Sequence, residues 1–261
     1  MTATRLAAHR AALDANMVET FTRTIESVGD SRGTRARFGR VDVILTGVDV
    51  AYFNIVFVLD RAARPADVLA ASSLMRERAV PFVVFVRDDV GPALRSAVIA
   101  DGLVEADASI PGMVLDPIAR LPAPIPDGVR MQVGGAEFFD DWHAALESDA
   151  TLRRVFGRSF VADPGVRLAV AYLDGLPISG AAVVDAGGVI GIYSLWTQES
   201  ARRRGIGGAV TRAAIDAGVQ AWGATAVVLQ SSPMGEPLYR SMGFETVSRY
   251  AVFASPANGG A

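Results

Sequence analysis

The stretch Arg202-Arg203-Arg204-Gly205-Ile206-Gly207-Gly208 stands between a predicted strand, Val189 to Trp196, and a predicted amphipathic helix, Gly205 to Ala221. The first N–H groups of a helix have no partner inside the helix, and they carry the positive end of its dipole. Glycine lets an anion approach this backbone closely, and the three arginines add positive charge. The stretch therefore predicts a phosphate-binding turn between a strand and a helix.

Two other kinds of phosphate loop match this stretch poorly. A dinucleotide-binding fingerprint requires a third glycine where Val210 stands, and an acidic residue on a second strand where Thr225 begins instead. The chain contains no lysine, which excludes a Walker-type loop. A glycine-rich helix start beside solvated arginines, with no ligand, is the plain structural alternative.

A second motif, Tyr239-Arg240-Ser241-Met242-Gly243-Phe244, follows about thirty residues later. Together the two segments resemble the GNAT family of N-acetyltransferases. The signature of that family is Gln or Arg, any two residues, Gly, any residue, then Gly or Ala, and Arg202, Gly205 and Gly207 satisfy it. The resemblance covers about Val129 to Phe253.

The resemblance implies acetyl-CoA as co-substrate, Tyr239 as general acid and no metal. Tyrosine has an ordinary pKa of about 10, which suits protonation of a leaving thiolate. The residues expected to bind acetyl-CoA are Leu195, Trp196, Thr197, Arg202, Arg203, Arg204, Gly205, Ile206, Gly207, Gly208 and Ser231.

The general base and the acceptor pocket stay open at this point. Glu199, Asp174 and Glu137 are conceivable bases that are also ordinary solvated residues, and His143 is most simply a packing or surface histidine. Two roles are equally open for Gln230, Ser231 and Ser232, namely contact with pantetheine or substrate and capping of the next helix. Tyr52, Phe53 and Asn54 are candidates for the acceptor pocket, although turn chemistry explains Asn54 as well.

The first half repeats the order of strands and helices that the second half shows. A long amphipathic helix ends near Gly29, and short strands, the helix Pro65 to Arg78, the strand Pro81 to Val86 and the helix Pro92 to Ala100 follow. Where the glycine loop would stand, the first half has Asp60-Arg61-Ala62-Ala63-Arg64-Pro65. The whole chain therefore resembles tandem GNAT proteins whose N-terminal copy has lost its cofactor loop.

The expected fold class is α/β, with two GNAT-like domains in tandem on mixed sheets. Residues 1–116 are expected to form the degenerate domain, 117–128 a proline-rich linker and 129–261 the catalytic domain.

Composition narrows the functional class. The 261 residues carry 25 basic and 28 acidic side chains, for a net charge of -3, without the basic excess of a nucleic-acid binder. The chain has no cysteine and no apolar run of signal-peptide or membrane-spanning length. We therefore expect a cytoplasmic monomer or homodimer that acetylates a small-molecule or peptide amine. A non-catalytic acyl-CoA-binding regulatory module is the alternative.

Overall fold

The computed structural model describes residues 2–118 and 124–254. The predicted linker, 117–128, and the predicted catalytic domain, 129–261, therefore fall partly outside the described residues, and the domain boundaries stay predictions.

Twelve strands form one mixed sheet, and helices cover both of its faces. The helices are α1 (Ala3–Val28), α2 (Pro65–Glu77), α3 (Pro92–Ala100), α4 (Phe139–Ala145), α5 (Ala150–Val155), α6 (Arg158–Ala162), α7 (Ile206–Trp222) and α8 (Glu236–Ser241). The strands are β1 (Thr34–Phe38), β2 (Val41–Leu45), β3 (Asn54–Val58), β4 (Val83–Arg87), β5 (Val104–Glu105), β6 (Ile110–Leu115), β7 (Val129–Gly134), β8 (Val166–Leu173), β9 (Leu176–Ala186), β10 (Val189–Thr197), β11 (Ala226–Gln230) and β12 (Glu245–Ala254).

The two halves repeat one element order, as the sequence predicts. The run β1, β2, β3, α2, β4, α3, β6 in the first half corresponds to β8, β9, β10, α7, β11, α8, β12 in the second. In both runs the third strand pairs in parallel with the strand after the helix, β3 with β4 and β10 with β11.

The halves exchange their last strands, a feature that the sequence did not predict. The sheet order is β1-β2-β3-β4-β12-β6-β11-β10-β9-β8-β7, and β5 pairs with β12 off this path. Thus β12, from the second half, pairs with β4, while β6, from the first half, pairs with β11. Because the exchanged strands also pair with each other, one continuous sheet joins both halves.

Side chains alternate between the two faces of the sheet along each strand, and a different set of helices covers each face. On one face, α7 and α8 cover a core that includes Met113, Leu229 and Tyr239, while α2 and α3 cover the first half. On the other face, α1 packs on both halves, and α4 to α6 complete the layer over the second half. Gly29 ends α1 in the left-handed conformation, as predicted, with a φ of 60°.

Candidate active site

A gap between β10 and β11 forms the centre of the candidate site. The two strands pair only from Val189 to Gly191, which lie opposite residues 226–228. Beyond Gly191, β10 continues to Thr197 along β9 alone, and the end of β11 pairs with β6. The second half of β10 therefore presents an edge that β11 does not cover.

The backbone of Leu195 and Thr197 faces this uncovered edge. Gln198 N–H donates to the Ile178 carbonyl in β9 over 2.9 Å, so the polar groups of Gln198 and Trp196 point toward β9. Alternate residues point the other way, which directs Leu195 and Thr197 into the gap. Both residues are among those that the resemblance implies for acetyl-CoA binding.

A β-bulge interrupts β10 beside the gap. The register with β9 shifts between Tyr193 and Trp196, and Ser194 has a φ of 51°, which is uncommon for a residue other than glycine. A bulged residue is left out of the ladder, so its polar backbone groups are free to bind another partner. The bulge thus supplies backbone groups where β10 leaves β11.

The N-terminus of α7 is open to an anion. Gly205 occupies the cap position with a φ of 79°, a conformation that favours glycine, and no side chain caps the helix. The first turn of α7 contains no acidic residue. Its N–H groups and the helix dipole therefore remain available.

The three arginines of the loop differ in their placement. The Arg202 Nε donates to the Thr197 carbonyl over 2.9 Å, and the guanidinium lies 4.8 Å from the centre of the Trp196 ring. Arg202 therefore fastens the loop to the end of β10. Arg203 and Arg204 are exposed and have no hydrogen bond or ion pair within 2–118 and 124–254.

The Trp196 side chain contacts both Arg202 and Glu147. Its Nε1 donates to a Glu147 carboxylate oxygen just after α4 over 3.0 Å, and its side chain is 37% exposed. The indole thus lies on the α4 face of the sheet, while α7 covers the other. Its predicted contact with acetyl-CoA remains a prediction.

Helix α8 closes the other side of the loop. A Cβ at Gly207 would lie 3.4 Å from Thr197 Oγ1 and 3.6 Å from Leu238 Cδ2, and a Cβ at Gly208 would lie 3.6 Å from Leu238 Cδ1. Leu238 therefore packs directly over the two glycines. Sequence reasoning missed Leu238, although its place beside the motif tyrosine was a signal.

Tyr239, the next residue, is buried in the core on the α7 face of the sheet. Its ring packs edge-on against Phe244, with 5.6 Å between ring centres. Burial raises the pKa of Tyr239 above its ordinary value. In the described part of the chain its hydroxyl has no hydrogen-bond partner, so the side chain is a protonated donor that no neighbour engages.

The residues after β11 have separate roles. Ser232 closes the turn before α8, because its Oγ accepts a hydrogen bond from Gly235 N–H over 3.1 Å, and no side chain caps the helix itself. The Ser231 hydroxyl is buried and donates to the Ser232 carbonyl over 2.8 Å. The Gln230 side chain lies on the α1 face, and its Nε2 is buried without a partner in the described part of the chain. Contact of Ser231 with acetyl-CoA stays a prediction.

The corresponding loop of the first half is closed. Strands β3 and β4 pair along the whole of Ile55 to Val58, so no gap opens between them. Asp67 Oδ2 accepts a hydrogen bond from Arg64 N–H over 3.3 Å, and Asp60 Oδ1 accepts one from Ala62 N–H over 2.8 Å. The protein's own carboxylates thus accept from two N–H groups of this loop.

The candidate bases do not converge on the gap as one group. Glu199 is exposed in a 3-10 turn, and Asp174 is exposed in the turn between β8 and β9. Backbone hydrogen bonds from residues 135 and 137 lower the pKa of Glu137. His143 is buried, and its ring nitrogens lie 2.9 Å from Ser148 Oγ and from the Phe156 carbonyl, so it is a packing histidine.

Of the first-half candidates for the acceptor pocket, Asn54 is excluded. It is fully buried, accepts from the N–H groups of Thr46 and Gly47, and donates to the Val48 and Pro81 carbonyls. Asn54 therefore holds a turn and lines no pocket. Tyr52 is 50% exposed, and Phe53 packs edge-on against Phe156 of the second half, with 6.0 Å between ring centres.

Comparison with known proteins places these features in a family. The family model described as an acetyltransferase (GNAT) domain matches residues 132–254. No curated protein matches the sequence. Among the described residues, no helix is long and apolar enough to cross a membrane, and no three metal-binding side chains form a group.

Solved structures share the fold over most of the chain. A GCN5-related N-acetyltransferase from Kribbella flavida has a TM-score of 0.70 at 20% identity, over 93% of this chain and 96% of that one. A GCN5-related N-acetyltransferase from Sphaerobacter thermophilus has 0.62 at 17%, over 82% and 75%. A tandem GNAT protein from the clavulanic acid biosynthesis pathway has 0.59 at 17%, over 85% and 79%. At these identities the likeness shows the fold.

Proposed function

Because residues 132–254 match the family model of a GNAT acetyltransferase domain, we propose that the chain transfers an acetyl group from acetyl-CoA to a primary amine of a small molecule or peptide. The observation that carries this proposal is the contrast between the two halves. Only the second combines, among the described residues, an uncapped helix N-terminus with a gap between its parallel strands.

The residues around the gap in the second half fit a ligand that has a pyrophosphate and an extended pantetheine arm. The N–H groups of Ile206, Gly207 and Gly208 would hold the pyrophosphate, with the exposed Arg203 and Arg204 beside them. The backbone of Leu195 and the Thr197 N–H would orient the pantetheine arm along β10, because they face the uncovered edge. The Thr197 carbonyl already accepts from Arg202 and is left out of this pairing.

When bound, acetyl-CoA supplies an activated acyl carbonyl next to a thiol leaving group. The amine nitrogen bonds to the carbonyl carbon, the carbon–sulfur bond breaks, and the surplus proton on nitrogen passes to water. A backbone N–H at the β10 bulge would stabilise the negative charge that develops on the carbonyl oxygen, a contribution of roughly 3 kcal/mol per donor elsewhere.

Tyr239 is assigned to protonate the leaving thiolate. Its raised pKa keeps it protonated at neutral pH, and its hydroxyl is not engaged by another described side chain. Leu238, the residue before it, touches the glycine loop, so α8 carries the tyrosine beside the nucleotide site. The tyrosine regains its proton from solvent after the product leaves.

Calorimetric titration with acetyl-CoA tests the shared premise of the enzyme and of its alternative, the regulatory module. We expect saturable binding with one site per chain. Thiol release measured across a panel of primary amines then separates them, because an enzyme releases free thiol only when a suitable amine is present. Absence of saturable binding contradicts both functions, and binding without amine-dependent thiol release contradicts the enzyme.

A further inference from the structure

A large cavity in the described part of the chain lies far from the glycine loop. Its volume is about 1150 Å³, and it opens between α1 and the β1–β2 hairpin of the first half. Gly187, in its wall, belongs to the turn at the start of β10, whereas the glycine loop follows the end of β10. At about 3.3 Å per residue, the length of β10 separates the two places by well over 20 Å.

The position of this cavity in the first half corresponds to that of the candidate active site in the second half. Leu59 to Arg61 and Arg87 line it, so it lies at the C-terminal ends of β3 and β4. In the second half, the corresponding ends of β10 and β11 carry the gap of the candidate active site. In the first half, the two strands stay paired where the second half has its gap. An open cavity lies on the α1 face of the same strand ends.

The floor of the cavity is a network of ion pairs. Arg87 Nε donates to Asp89 Oδ1 over 2.6 Å, Arg10 donates to Asp89 Oδ2 over 2.9 Å, and Arg87 also pairs with Asp14. Tyr250 donates to Asp14 Oδ1 over 2.7 Å. Asp89 also accepts from Arg61 Nε over 3.0 Å. Each of these arginines thus has a carboxylate partner, and the pairs hold the shape of the floor.

The arginines of the cavity that have no close carboxylate partner lie on its β1 wall. Seven arginines and six acidic residues line it, which leaves one positive charge. Arg35 is exposed and makes no hydrogen bond or ion pair with the described residues. Arg37 projects from the same face of β1, and its only carboxylate partner in the described chain, Asp42, lies 4.0 Å away.

The opposite wall of the cavity, formed by α1, carries a row of small apolar side chains. Ala3, Ala7, Ala11 and Ala15 follow one another at four-residue spacing along α1, and all four are exposed to the cavity. Small side chains on this face leave the groove between α1 and β1 unfilled. A ligand there would meet arginines on one side and a flat aliphatic surface on the other.

From this arrangement we propose that the first half is a binding site for a small amphipathic monoanion, with its carboxylate on Arg35 and Arg37 and its aliphatic body along the alanines of α1. Arginine binds a carboxylate through paired N–H groups, which fixes the orientation of such a ligand. The site performs no acyl transfer, because its half lacks the open helix N-terminus. The proposal does not depend on the function of the second half.

Titration calorimetry with octanoate as the probe tests the site, with octylammonium as the cationic probe of equal length. We expect saturable octanoate binding with one site per chain and no saturable binding of octylammonium. Arg35→Gln should weaken octanoate binding at least tenfold. Arg130→Gln, on the opposite edge strand β7, removes the same charge from an exposed position outside the cavity and should leave binding unchanged.

A second pair of variants tests the alanine wall. Ala11→Leu should weaken octanoate binding at least tenfold by filling the groove, whereas Ala8→Leu, exposed on the same helix but outside the cavity, should not. Thermal unfolding of each variant verifies that it is folded. Absence of saturable octanoate binding to the unmodified chain overturns the proposal, as does equal binding of octylammonium or equal loss in the control variants.

Discussion

The Tyr250 hydroxyl donates a 2.7 Å hydrogen bond to Asp14, which joins the last strand of the chain to its first helix. The ring crosses Gly112 on the neighbouring strand, where a Cβ would lie 2.8 Å from Tyr250 Cε2. Because β12 belongs to the second half and α1 and β6 belong to the first, this contact lies where the halves exchange strands. It makes the packing of one half depend on the other.

The pH dependence of stability tests this contact. Burial raises the pKa of Asp14 to about 6 from an ordinary value near 3.8, although Tyr250 and Arg87 act in the opposite direction and Asp89 adds repulsion. The folded chain therefore keeps the Asp14 proton to a higher pH than the unfolded chain does. The contribution of Asp14 to stability is full below about pH 4 and is lost as pH rises through 6.

The expected loss is roughly 1 to 3 kcal/mol in the free energy of unfolding. Denaturant unfolding of the unmodified chain and of Asp14→Asn between pH 4 and 7 measures it, because the variant lacks the ionising group. The difference between their unfolding free energies should change across this range. A constant difference contradicts the raised pKa.

A close contact between α1 and β10 predicts a second effect on stability. A Cβ at Gly191 would lie 2.0 Å from Asn16 Oδ1 and 2.4 Å from Tyr193 Cε2. The Asn16 side chain cannot move away without breaking hydrogen bonds, because it donates to the Val184 and Val189 carbonyls and accepts from Tyr193. Gly191→Ala should therefore lower the free energy of unfolding by about 1 to 3 kcal/mol, measured by denaturant titration.

Gly207→Ala is the control for this steric effect, because its new methyl group would meet ordinary contact distances of 3.4 Å and 3.6 Å. It should change stability by under about 1 kcal/mol. Equal destabilisation by both variants would show that the crowding at Asn16 does not govern the result.

The sequence predicted most elements of this fold, and the reasons for its failures are physical. Helix α1 has a long apolar periodicity and ends at a glycine, so its end was predicted closely. Helices α5 and α6 have six and five residues, too few to show a helical period, and they were missed. Strand β7 was missed as well, although apolar and polar residues alternate from Val129 to Val133; it lies at an edge of the sheet and directly follows the proline-rich stretch.

The strand exchange could not be read from the sequence. The alternation of apolar and polar residues along β6 and β12 indicates which face of each strand is buried. This pattern is the same whichever strand pairs with them, so it does not indicate the neighbouring strand. At the site, the motif located the glycine loop and Tyr239. It could not show that Arg202 turns back onto Thr197, or that the Ser232 hydroxyl closes the turn before α8.

Charge at the glycine loop gives a third prediction. A carboxylate at Gly205, the cap position of α7, would accept from the first N–H groups of that helix. Gly205→Asp should weaken acetyl-CoA binding at least tenfold relative to Gly205→Asn, because the carboxylate repels the pyrophosphate and competes for the same N–H groups. Asparagine strains the positive φ similarly without the charge. Equal affinities of the two variants in titration calorimetry would refute the anion site.

The role of Tyr239 gives a fourth prediction. Tyr239→Phe keeps the ring that packs on Phe244 and removes the only atom assigned to proton transfer. We expect kcat to fall by a factor of about 10² or more, while the dissociation constant for acetyl-CoA changes less than threefold. Steady-state kinetics and calorimetry on the same preparation measure both quantities. A parallel loss of turnover and binding would assign Tyr239 to cofactor binding instead of acid catalysis.

A crystal structure of the chain with acetyl-CoA tests the central claim most directly, namely that only the second half binds the acyl donor. We predict the pantetheine arm along Leu195 to Thr197, the pyrophosphate on the N-terminus of α7, and the sulfur within reach of the Tyr239 hydroxyl. Acetyl-CoA bound instead at residues 60–65 of the first half would contradict the account.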